Sequence, residues 1–280
     1  MNGAPVFNFL TANSQSYSFA EILNGFQTQM RVINALIMRE TKTRYGEHKL
    51  GFMWAILEPA AMVVVFVAIF SVLRNDNPGG MPVAIFMLVG IAPFGLFRDT
   101  MQLLVNSLGA NKMLLTFPQV TTYDVMAARA LLEIATASGV FVLLLCIAHF
   151  IGFEFRVENP LGVMAACALI AMMGVSAGIT FATIKPLFPS IQQFIGVMLS
   201  RPLYIASGIF FTAESVPEPI RSILLYNPLL HMMELLRTEF FYQFESAYGS
   251  WSYATMWSFS FFTFSIMLHQ ALRKRAIVAI

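Results

Sequence analysis

The 280-residue chain is 58% hydrophobic and 11% charged, with a mean hydropathy of +0.70, whereas soluble domains are roughly 25% charged and about 45–50% apolar. A soluble fold of this size would leave too much apolar surface in water, and the same composition excludes a disordered chain, a nucleic-acid binder and a disulfide scaffold. The formal charge of +2 says little as a total, so the position of each charge carries the information.

Residues 1–17 are polar and contain no Lys or Arg, which reads as a loose tail without the basic start of a cleaved signal. Region 18–50 is an amphipathic helix and linker. Ser18-x-x-Glu21 is a capping box, and Ile22, Phe26, Met30, Ile33 and Ile37 form one apolar stripe opposite Asn24, Gln27, Arg31 and Asn34. Such a helix lies in the headgroup plane rather than crossing it; an ordinary soluble amphipathic helix is the plainer alternative.

Region 51–280 reads as a transmembrane domain. Asn77–Phe97, Ile134–Phe153, Asn159–Ile184 and Ser246–Leu272 carry no formal charge, while Gly51–Leu73 carries only Glu58 and Pro186–Ala213 only Arg201. With about 20 apolar residues per crossing, six spans are predicted near 54–73, 83–104, 130–151, 160–183, 189–211 and 252–271. Placing the N-terminus inside puts eleven Lys and Arg on the cytoplasmic side and four outside. Cations favour the cytoplasmic side, so both termini are expected there.

Two connections do not span. Residues 105–124 hold Asn106, Asn111, Lys112, Met113, Gln119, Asp124 and a Phe117-Pro118 break; they either dock a soluble partner or form a solvated link. In 213–243, Ser215 with Pro217 and Asn227 with Pro228 are helix-start signals, predicting helices near 217–226 and 228–243. These read as a re-entrant hairpin or as an external surface loop.

Chemistry-bearing motifs are few. No P-loop, nucleophile elbow or potassium-filter sequence occurs. His231-x-x-Glu234 alone is a weak metal pair, and no metal site is expected. Cys146 and Cys167 lie in apolar runs and read as inert hydrophobes. Gly174-x-x-x-Gly178 permits close helix packing within or between protomers. Arg129 and Glu133 can pair along one helix, and Arg98-Asp99 can snorkel. Arg201 sits roughly 18 Å into its span at ~1.5 Å per residue, near the midplane, where Arg costs about 2.5–3.5 kcal/mol. It should meet a substrate anion or a structural acid. Phe66, Phe70, Phe94 and Tyr204 could stack on sugar rings or simply face lipid.

The order of elements, with Arg44-Tyr45-Gly46…Leu50-Gly51-x-x-Trp54-x-x-x-Glu58-Pro59 and Tyr226-Asn227-Pro228-Leu229-x-His231-x-x-Glu234-x-x-Arg237, resembles the permease subunit of ABC-2 type exporters. Within that group it is most similar to the capsular polysaccharide export permeases of Gram-negative bacteria. The resemblance implies an all-α membrane fold of six transmembrane helices with an N-terminal interfacial helix and a periplasmic re-entrant hairpin over 213–243 acting as a gate. It implies a homodimer in the inner membrane, joined to two copies of an ABC ATPase that binds ATP and Mg, with Asn111, Lys112, Met113, Phe117 and Pro118 seated in that ATPase. It further implies lipid-linked acidic polysaccharide as substrate, a path opening sideways between spans one and five, and periplasmic and outer-membrane export partners. On that picture Arg31, Arg39, Lys42 and Arg44 attract the anionic end, and Arg201, Tyr204, Arg98, Phe66, Phe70 and Phe94 guide the chain. A permease for O-antigen, teichoic acid or another lipid-linked polymer, a drug or small-lipid exporter, and an intramembrane enzyme on lipid-linked sugars are the alternatives.

Overall fold

The structure, a computed structural model, describes residues 19–45, 50–73 and 81–279. The tail, Ser18 of the expected capping box and linker residues 46–49 lie outside the described residues. Regular structure among those described is helical, apart from a single antiparallel bridge between Val157 and Phe241. The long helices are α1 (Phe19–Tyr45), α2 (Leu50–Leu73), α3 (Val83–Val105), α5 (Thr122–Ile151), α6 (Pro160–Ile184) and α11 (Trp251–Val278). Between them lie the shorter α4 (Ser107–Ala110), α7 (Ile191–Phe194), α8 (Ser200–Ala206), α9 (Ile220–Leu224) and α10 (Pro228–Phe240). Three of these, α3, α5 and α6, are long and apolar enough to cross a membrane.

Helix α3 is the centre of the bundle, with α6, α5 and α2 packed around it and α11 and α10 packed on α6. The α3–α6 contact is close because α6 presents glycines. A Cβ on Gly174 would lie 2.8 Å from the Phe97 carbonyl oxygen, and one on Gly178 would lie 2.6 Å from Leu104 Cβ. The small-residue pair therefore serves packing within the protomer.

Local chemistry sets the helix ends. Asn159 accepts from the Gly162 amide and Pro160 occupies the first turn of α6, the arrangement favoured at a helix start. Thr121 and Asp124 form a reciprocal capping box that begins α5. That start lies upstream of the span predicted near 130, so the helix absorbs the last part of the expected loop. Gly152, at φ +102°, closes α5 at its far end.

The fifth segment departs from expectation. Rather than one helix over 189–211, it runs as α7, a π-helical turn at Ile195–Leu199 and α8, stopping at Ala206. Pro202 has no amide proton, and its ring opposes the carbonyl four residues back, which a π-turn accommodates. Gly208, at φ +73°, then turns the chain out of helix. The helices predicted at 217–226 and 228–243 are shorter, at Ile220–Leu224 and Pro228–Phe240.

Helix α1 packs along α5. Of its apolar stripe Ile33 is buried, while Phe26 and Met30 are exposed. The expected Arg129–Glu133 pair does not form. Arg129 pairs with Glu40 at 2.7 Å, and Glu133 pairs with Arg44. The two helices run parallel and in register, so the four-residue step from Glu40 to Arg44 matches that from Arg129 to Glu133. Each ion finds its partner across the interface rather than along its own helix.

Candidate functional site

Three groups of polar side chains stand out in this apolar bundle. The first clamps the chain after α8. Residues 207–212 are largely buried yet not helical, so their backbone groups need partners from elsewhere. Asn227 caps α10 by accepting from the Leu229 amide at 3.0 Å. It also donates to the Ala206 carbonyl and to Ser207 Oγ, each at 3.2 Å. Arg237, fully buried, donates to the carbonyls of Gly208 (2.6 Å), Ile209 (2.9 Å) and Phe211 (3.1 Å), and its guanidinium lies 3.9 Å from the centre of the Phe86 ring. Glu234 accepts from the Ala213 amide at 3.0 Å and from Ser246 Oγ at 2.5 Å. Burial pushes the Arg237 guanidinium down to about 10, which the nearby Glu234 charge opposes, so it stays cationic at neutral pH. Gly90 on α3 lets this segment approach, since a Cβ there would lie 2.9 Å from the Ile209 carbonyl oxygen. His231 is engaged with the Leu225 carbonyl at 2.8 Å, and Glu234 with Ala213 and Ser246, so the weak metal pair is built into this clamp instead.

The second group lines a cavity of about 360 Å³ between α2, α3, α5 and α8. Arg44, Glu58, Arg98, Asp99 and Glu133 supply its charges, Gln102 and Asn106 its amides, and Phe94 and Tyr204 its aromatic surface. Its ions are paired: Arg98 Nε donates to Asp99 at 2.8 Å, its terminal nitrogen lies 3.4 Å from Glu58, and Arg44 meets Glu133. Behind the cavity an aromatic column continues. Ring centres of Phe94 and Tyr204 are 5.1 Å apart, Tyr204 and Phe210 5.3 Å, Phe210 and Phe66 4.5 Å, and Phe210 and Phe70 6.0 Å.

The third is the connection between α3 and α5. Asn111 is buried, donates to the Ser107 carbonyl and accepts from Arg39 at 2.8 Å. Lys185, just past the end of α6, reaches Asn106. Anchored on both sides, the loop displays Lys112, Met113, Phe117 and Pro118 on its exposed tip.

The structure thus brings Arg98, Tyr204, Phe94 and Arg44 to one cavity, with Phe66 and Phe70 stacked behind it. Arg39 and Arg44 are engaged with α5 and the loop, while Arg31 and Lys42 are exposed. Arg201 does not line the cavity; it is exposed on α8, with no ion pair among the described residues. Trp54 is exposed on α2, one turn before Glu58 and Pro59. Asp99 and Glu133, legible in the sequence only as neighbours of Arg98 and Arg129, line the same cavity, and Phe210 joins its aromatic column.

The fold is thus a helical membrane domain with a partly open cavity edged by charges and aromatic rings and an anchored loop between α3 and α5. The ABC-2 type transporter family matches residues 31–241, and the chain belongs to that family. It is 34% identical over 214 residues to the polysialic acid transport protein KpsM of Escherichia coli, covering 76% of this chain and 83% of that one. It is 31% identical over 213 residues to the capsule polysaccharide export inner-membrane protein BexB of Haemophilus influenzae, covering 76% and 80%. The capsule polysaccharide export inner-membrane protein CtrC of Neisseria meningitidis serogroup A is 29% identical over 219 residues, covering 78% and 82%.

Proposed function

We propose that this permease moves a lipid-linked acidic capsular polysaccharide across the bacterial inner membrane. Its similarity to capsule and polysialic acid export proteins over three quarters of the chain is the observation that carries the reading. The polar cavity flanked by stacked aromatics supports it, because anionic sugars need both cationic and aromatic contacts. In this reading α2, α3, α5, α6, the broken α7–α8 segment and α11 are the six crossings, and both termini are cytoplasmic. The chain works as a homodimer with two ABC ATPase subunits, which bind ATP and Mg and seat the Asn111–Pro118 loop. Hairpin 213–243 forms the periplasmic gate, leading to periplasmic and outer-membrane partners.

The mechanism follows from the placements. ATP-driven closure of the ATPases shifts the loop, and Asn111 passes that shift to α1 through Arg39. Arg31 and Lys42, exposed on α1, draw in the anionic end of the substrate, and the glycan then moves past Arg98 and Tyr204. Arg201, on the exposed side of α8, lines the path completed by the second protomer. Deleting the gene should remove surface acidic polysaccharide and leave the lipid-linked polymer inside the cell, with both restored by the wild-type gene. Unchanged surface polysaccharide in the deletion strain would overturn the proposal, and loss of a different lipid-linked polymer would reassign the substrate.

A further inference from the structure

Arg98 holds two acids in different ways. Asp99 is its neighbour on α3, hydrogen-bonded to Nε at 2.8 Å. Glu58 comes from α2, stands 3.4 Å away, and its side chain is 45% exposed against 24% for Arg98. Asp99, similarly exposed at 42%, makes the shorter contact from the same helix as Arg98, so the longer contact from α2 is the exchangeable one. Both Arg98 and Glu58 border the cavity, whose volume of about 360 Å³ falls at the small end of ligand pockets, roughly 300–1,000 Å³. That is room enough for a headgroup. The Tyr204 hydroxyl on the same cavity is buried and has no hydrogen-bond partner, which leaves a donor for an incoming oxygen. Pro59 follows Glu58 inside α2 and also borders the cavity. A proline within a helix removes one backbone hydrogen bond and makes a local bending point, so the Glu58–Arg98 contact spans from the pliable part of α2 to the rigid centre of the bundle.

We propose that Glu58 occupies the seat of an anionic headgroup. A phosphate or carboxylate carried on an amphiphile displaces the Glu58 carboxylate from Arg98, takes the Tyr204 hydroxyl as second donor, and thereby releases α2 from α3. The ion pair is then both a place-holder that joins α2 to α3 and a specificity element, because a neutral amphiphile cannot replace it. This inference rests on the export reading above, in which the substrate carries an anionic end.

The experiment uses the complete exporter, permease with its ATPase, in nanodiscs of phosphatidylcholine, with dodecyl phosphate as the probe. Dodecyl maltoside and inorganic phosphate serve as comparisons. The wild type should bind dodecyl phosphate saturably and ignore the maltoside. Glu58→Gln should bind it about five-fold tighter, the factor a half-exposed ion pair contributes as a competitor. Arg98→Gln should lose saturable binding, and Tyr204→Phe should weaken it about three-fold. Gln102→Glu, which adds a carboxylate to the cavity edge without removing a contact, should weaken binding in a protein that is otherwise unchanged. Equal or weaker binding in Glu58→Gln, or unchanged binding in Gln102→Glu, overturns the displacement. Inorganic phosphate competing as well as dodecyl phosphate overturns the assignment to an amphiphile. Failure of the export reading shows separately, as unchanged surface polysaccharide in the deletion strain.

Discussion

Arg237 offers the sharpest test of how the fold is held. Replacing it with Ala removes donors from three carbonyls at 2.6, 2.9 and 3.1 Å and a cation from the face of Phe86 at 3.9 Å. It also leaves Glu234 buried without the guanidinium at 3.9 Å. Each hydrogen bond from a charged donor contributes about 1.5–3 kcal/mol, but the bonds share one side chain and do not add. Removing one partner of a buried charged pair costs about 3–5 kcal/mol, which sets the scale at roughly 4 kcal/mol. In a chain of this size ~1 kcal/mol moves the midpoint by about 2–4 °C, so Arg237→Ala should melt roughly 10 °C below the wild type. Arg237→Lys should fall between, since one ammonium keeps the charge but lacks the planar fork that reaches three carbonyls. The midpoint can be read by gel filtration of detergent-solubilised protein after heating, and limited proteolysis should show new cleavage within 206–213. A midpoint for Arg237→Ala within about 2 °C of the wild type would refute the clamp.

Four further sets of variants test separate contacts. Glu40→Arg and Arg129→Glu should each lower the melting midpoint, and the double variant should recover most of the loss, because the pair at 2.7 Å is reformed with its polarity reversed. Gly174→Leu should deplete folded protein from the membrane, since its side chain has only 2.8 Å to the Phe97 carbonyl; Gly139→Ala, with no atom within 4 Å of the added Cβ, should be neutral or stabilise by up to about 1 kcal/mol. Lys112→Glu combined with Phe117→Ser should abolish co-purification of the ATPase at an unchanged melting midpoint. Arg201→Ala should lower export while membrane levels of the protein stay constant, and wild-type surface polysaccharide in that strain would remove Arg201 from the path.

The fold was legible in the sequence wherever one property governs a long stretch. The apolar runs that become α3 and α6 were placed within a few residues, because burial in lipid depends on average hydropathy. Boundaries set by single contacts were less legible. Helix α5 begins at Thr122 because Thr121 and Asp124 cap each other, yet both stand in a polar stretch that reads as loop. The fifth segment is uncharged apart from Arg201 and mostly apolar, so hydropathy extends a helix through Pro202 and Gly208, where backbone geometry interrupts it. The Arg129–Glu133 expectation failed for a related reason. A spacing of four describes neighbours on one helix and is silent about a second helix, α1, that carries the same spacing in register.

The site divides along the same line. Arg98, Tyr204 and Phe94 were readable as a group because charge and aromatic rings are rare or clustered enough to be noticed in apolar sequence, and the structure places them on one cavity. The Asn227…Glu234…Arg237 segment was equally readable as a pattern, but its work was not. Its main partners are the carbonyls of residues 206, 208, 209 and 211 and the amide of Ala213, and a backbone group has no residue type to reveal it. What the sequence does contain is the cause of those unpaired carbonyls: Gly208, which at positive φ turns the chain out of helix directly after α8. A break of that kind in an apolar segment requires donors from elsewhere in the chain. The presence of Asn, Glu and Arg on a nearby short helix is therefore the other half of the same feature.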